Sequence, residues 1–90
     1  MKYIVGTLHS DKYKLNSSIE VTVQTDGDGY HAEWGEVGEY GTGETIKESI
    51  SDLTENIISL YETLRYRPDI KIGKNLQRII DVMKSVIIEK

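Results

Sequence analysis

The sequence predicts an α+β fold: an antiparallel sheet of three or four strands, packed by one long helix and followed by a C-terminal helix. Three observations carry this. Apolar and polar residues alternate from Ile19 to Thr25 and again from Tyr30 to Trp34. Asp26-Gly27-Asp28-Gly29 stands between the two runs. After Thr45 the apolar spacing changes from two residues to three or four.

In the first run Ile19, Val21 and Val23 fall on one face, and Glu20, Thr22 and Gln24 on the other. That is the pattern of a half-buried strand. Asp and Gly tolerate the positive φ that a hairpin turn needs. In the second run Tyr30, Ala32 and Trp34 share a face, opposite His31 and Glu33. A weaker third segment, Val37 to Gly41, completes a meander with one apolar and one polar side. Ile46, Ile50, Leu53, Ile57, Leu60 and Leu64 then form the stripe of an amphipathic helix over 45–64. It is expected to lie across the Tyr30/Ala32/Trp34 face. Thr45, with Glu48 three residues on, reads as a capping box. Pro68 ends the helix near Arg65 to Arg67. At the flanks, Tyr3 to Leu8 reads as a strand followed by a polar connector. Ile70 and Ile72 suggest a short extended piece. Leu76, Ile79, Ile80, Met83, Val86 and Ile87 space out a second helix.

Ninety residues are expected to make one domain, 1–90, with a core over 19–64, an N-terminal extension over 1–18 and a helical tail over 69–90. Chains this short bury only roughly 60–65% of their unfolded surface, so the core is thin. The spare N-terminal strand and the run Val86-Ile87-Ile88, which cannot all face inward on one helix, point the same way, to a homo-oligomer. There is no cysteine, which removes disulfides, thiolate metal sites and thiol nucleophiles. The first apolar run stops at Leu8, too short for a secretory signal, and no run approaches the ~20 residues of a membrane span. A cytoplasmic protein with no membrane partner is expected.

The net charge of −4 is unevenly spread: residues 1–64 carry 12 acids and 4 bases, residues 65–90 carry 3 acids and 7 bases. An acidic body repels nucleic acid and attracts basic proteins. The glycines from Gly27 to Gly43 fit no phosphate-binding fingerprint, because they separate strands instead of joining a strand to its helix. Asp26 and Asp28 resemble the start of a calcium loop, but Tyr30, His31 and Val37 occupy positions that need an oxygen ligand, a glycine and a glutamate. His31 shares its face with Glu33, Glu20 and Gln24, a set better read as a polar surface than as a metal site. No metal and no cofactor are expected.

The stretch from Ile19 to Leu64 resembles the HicB family of antitoxins. A Val-rich strand and an Asp/Gly turn lead to Gly29-Tyr30, which opens the next strand. A glycine-rich segment then runs into Gly41-Thr42-Gly43-Glu44-Thr45-Ile46-Lys47-Glu48-Ser49 and a long helix. Ser49 stands where the family usually has alanine, and Trp34-Gly35-Glu36-Val37-Gly38 where it usually has a proline-containing segment. The residues after Pro68 are too few for the helix-turn-helix or ribbon-helix-helix domain of many members. The resemblance implies a truncated ribonuclease H-like core without catalytic carboxylates. It also implies a partner: a small basic toxin that cleaves messenger RNA.

The leading expectation is therefore an antitoxin-like, non-enzymatic module. Its partner interface draws on the hairpin and polar sheet face: Glu20, Asp26, Asp28, His31, Glu33, Glu36 and Glu39. A second reading is a nucleic-acid-binding regulator that uses Arg65, Arg67, Lys71, Lys74, Arg78 and Lys84. A nuclease built on Glu20 and Glu33 ranks last, because two like-charged groups need further ligands for metal chemistry. A stand-alone relative that kept the fold without a toxin is the fourth.

Overall fold

The computed structural model describes residues 1–66 and 73–90. The extended piece expected at Ile70 and Ile72, and the stop expected at Pro68, lie outside them. The chain is α+β. Strands β1 (Lys2–Val5), β3 (Ile19–Asp26), β4 (Gly29–Trp34) and β5 (Glu39–Gly43) form an antiparallel sheet in the order β1-β3-β4-β5. Helix α1 (Ile46–Tyr66) packs on β4 and β5. Helix α2 (Lys74–Val86) follows, and β2 (Tyr13–Leu15) pairs with β6 (Ile87–Glu89) in a second, two-stranded sheet.

The period-of-two alternation survives intact. Val21, Val23 and Ala32 are completely buried and Trp34 nearly so, facing Leu53 and Ile57 of α1 in one continuous core. The hairpin between β3 and β4 closes with Asp26 opposite Gly29. That leaves a two-residue turn whose Gly27 sits at φ +62°, in the left-handed region where glycine has no steric penalty.

Helix α1 reaches β5 through a gap in the side-chain layer. A Cβ on Gly41 would fall 2.6 Å from the Ser49 carbonyl oxygen and from Leu53 Cα. At Gly43 a Cβ would lie 2.7 Å from the Ser49 nitrogen. The Gly41-Thr42-Gly43 spacing places both glycines on the helix-facing side, so the two backbones meet directly. The start of α1 is capped as the sequence predicts. Glu48 N–H donates to Thr45 Oγ1 at 3.0 Å, while the Glu48 carboxylate accepts from the Glu44 N–H at 3.2 Å, one residue earlier than in the standard box. Thr45→Ala should cost about 1 kcal/mol. An unchanged denaturation midpoint would show that the cap contributes nothing.

Three boundaries and one added strand differ from the sequence expectation. The first strand ends at Val5, not Leu8, although Leu8 is buried. The third meander strand begins at Glu39, not Val37, because the Val37 and Gly38 N–H groups fold back onto the Trp34 carbonyl and consume these residues in a turn. The polar connector contains β2. The second helix stops at Val86, where Ile87 takes an extended conformation (φ −107°, ψ 127°). Strand alternation then turns Ile87 inward, 2% exposed, and Ile88 outward, 37% exposed. The apolar run thus resolves by a change of secondary structure, not by exposing one side of a helix.

The β2–β6 sheet ties the connector to the C-terminal segment. Tyr13 is buried, donates its hydroxyl to the Glu62 carboxylate at 3.1 Å and meets the Tyr61 ring edge-on at 5.4 Å. Asn16 N–H donates to the Val86 carbonyl, Lys90 N–H to the Lys12 carbonyl, and Arg65 pairs with Glu89.

Candidate protein-binding face

Among the described residues, only one side of the main sheet is covered. The other side carries the residues whose parity opposes the core: Lys2 and Ile4 of β1, Glu20, Thr22 and Gln24 of β3, His31 and Glu33 of β4, and Tyr40 and Thr42 of β5. Cross-strand register sets them in rows. Lys2, Thr22, Glu33 and Tyr40 form one row, and Gln24, His31 and Thr42 the next. The His31 and Tyr40 rings stack diagonally between β4 and β5, with centroids 5.1 Å apart and planes inclined by 17°. Tyr40 is 52% exposed and Ile4, on the opposite edge strand, 69% exposed.

Two carboxylates frame this platform. Glu33 stands opposite Thr22 and Tyr40, and Glu20 one row further along β3, opposite Ile4. Glu20 pairs with Lys2 at 3.3 Å, but both side chains are mostly exposed, so the pair adds little stability and stays open to competition. Asp26 closes the same face at the hairpin end of β3, and Asp28 lies in the exposed turn beside it.

Of the residues singled out in the sequence, the sheet therefore unites Glu20, His31 and Glu33, with Asp26 and Asp28 at one end. It separates Glu36 and Glu39. Glu36 lies in the β4–β5 loop, where its carbonyl accepts from Arg78 at 2.6 Å. Glu39 is opposite Trp34 and so has the parity of the core side. Tyr40 was not assigned to this face from the sequence. The signal was available: Trp34 and Glu39 bracket a four-residue loop (35–38), and counting back from it sets Tyr40 against Glu33.

The basic residues are less united. Arg67 and Lys71 lie outside the described residues. Arg65 is paired with Glu89, and Arg78 is engaged with Glu36 and Asn75. Lys74 and Arg78 share a side of α2 with Asp81, while Lys84 lies roughly 80° round the helix from Lys74 and roughly 120° from Arg78 at 3.6 residues per turn. Among the described residues no three His, Asp or Glu side chains are grouped to hold a metal ion, and no helix is long and apolar enough to cross a membrane.

Compared with family models, curated proteins and solved structures, the chain matches none.

Proposed function

We propose that this chain is a protein-binding module of the HicB-like antitoxin type, which neutralises a small basic RNA-cleaving protein through the open face of its sheet. The observation that carries this reading is the uncovered His31–Tyr40 stack, with Glu33 opposite Tyr40 and Glu20 one row further along β3. A rigid aromatic platform supplies the buried centre that interfaces concentrate their energy on. The surrounding carboxylates steer a cationic partner and add specificity more than affinity. The order of elements from Ile19 to Leu64, three antiparallel strands and then a capped helix, supports the family reading.

The two charge groups give the test. With the basic partner in hand, Glu20→Gln/Glu33→Gln should slow association several-fold and flatten its dependence on salt, because exposed charges are screened beyond ~10 Å at about 0.1 M. Glu36→Gln/Glu39→Gln should leave association nearly unchanged. Stopped-flow rates at several ionic strengths measure both, and equal effects from the two pairs would refute the choice of face.

A further inference from the structure

The two edges of the main sheet are treated differently. On β5 the outward backbone groups belong to Tyr40 and Thr42, among them Thr42 N–H and Tyr40 C=O. These two are engaged by α1: Thr42 N–H donates to the Asp52 carboxylate at 2.9 Å, and Asn56 Nδ2 donates to the Tyr40 carbonyl at 2.8 Å. This edge is partly covered by its own helix, a common protection against stray strand pairing. The β1 edge has no such cover among the described residues. Met1 exchanges both backbone bonds with Val23, at 2.7 and 3.0 Å. By the alternation of antiparallel ladders, Tyr3 and Val5 then bond inward, while the N–H and C=O groups of Lys2 and Ile4 point away from the sheet.

We propose that β1 is a self-association edge, on which a second copy lays its own β1 antiparallel about a twofold axis at Tyr3. In this register Lys2 of each copy faces Ile4 of the other, and all four outward groups per strand are used in four hydrogen bonds. The alternatives centred on Lys2 or on Ile4 satisfy fewer of them, and the first sets two ammonium groups face to face. The Tyr3 register instead lays the aliphatic stem of each lysine over the exposed Ile4 of the other copy. On the opposite side, a groove between β1 and the start of α1, lined by Tyr3, Val5, Ile46 and Ile50, becomes continuous across the axis. The pairing is independent of what the open face binds.

Three variants read the register. The 10.2 kDa chain should sediment at twice its mass at high micromolar concentration. Ile4→Lys alters a side chain that is 69% exposed, so the fold persists. It sets like charges opposite each other twice per dimer and should raise the dimer dissociation constant roughly tenfold or more. Adding Lys2→Glu to it puts opposite charges in both places and should restore the dimer. Tyr3→Cys, in a chain with no other cysteine, should cross-link on oxidation, because a non-hydrogen-bonded antiparallel pair brings Cβ atoms within disulfide reach. A monomeric wild-type chain, an Ile4→Lys variant that stays dimeric, a double variant that stays monomeric, or a cysteine at position 4 that cross-links while one at position 3 does not would each overturn the proposal.

Discussion

Leu53→Asp unfolds this protein. Leu53 is completely buried on the face of α1 that meets β4 and β5, within the cluster that holds Trp34 and Ile57. Truncating such a side chain alone costs about 2–5 kcal/mol. A carboxylate in its place has no cationic partner in that cluster, and burying an unpaired charge costs several kcal/mol more. A domain of this size has a total stability of roughly 5–13 kcal/mol, so the sum removes most or all of it. Trp34, the sole tryptophan and 1% exposed, reports the event. Its emission should shift to that of a solvated indole while helical circular dichroism collapses. A soluble variant that still melts cooperatively would contradict the packing of α1 on the sheet.

Gly41→Ala is expected to cost at least ~3 kcal/mol, the upper end for overpacked cores, although it adds a single methyl group. Ordinary overpacking is relieved by rotating a neighbouring side chain. Here the atoms in the way belong to backbone, the Ser49 carbonyl and Leu53 Cα at 2.6 Å, so relief requires α1 to move off β5. That movement would also strain the bonds from Asp52 to Thr42 and from Asn56 to Tyr40, which span the same junction. Gly35→Ala is the matched control. Its added carbon meets only the Glu33 carboxylate at 4.0 Å, so it should stay within ~0.5 kcal/mol of the parent. Equal denaturation midpoints for the two variants would show that the close helix–strand contact is absent.

The elements readable from the sequence were those with local causes. Ile19-Val21-Val23 against Glu20-Thr22-Gln24, the Thr45–Glu48 cap and the Ile46-to-Leu64 stripe each write their structure within a few neighbouring residues. The β2–β6 pair has no such local signal. Each strand has three residues, and Tyr13 finds its partner at Glu89, at the other end of the chain. Only the buried Tyr13, with its hydroxyl on Glu62, marks the segment as structural. The candidate site was half legible for a related reason. Parity within a strand placed Glu20, His31 and Glu33 together, because each strand's own alternation suffices. Placing Glu36, Glu39 and Tyr40 required the turn after Trp34, whose register pairs Glu39 with Trp34 on the core side and brings Tyr40 onto His31. Charge grouped the carboxylates in sequence; register regrouped them in space.

The central claim is that the open face captures and silences a small basic RNA-cleaving protein. The most direct measurement uses the wild-type chain and a Glu33→Lys/Tyr40→Ala variant as parallel baits in extract from the source cells, followed by assay of each eluted partner on RNA with and without added wild-type chain. The account predicts a small basic protein on the wild-type bait alone, with RNA cleavage that wild-type chain suppresses at equimolar amounts and the variant does not. Nucleic acid in place of that protein, equal capture by both baits, or a captured protein whose action on RNA is absent or unaffected would contradict it.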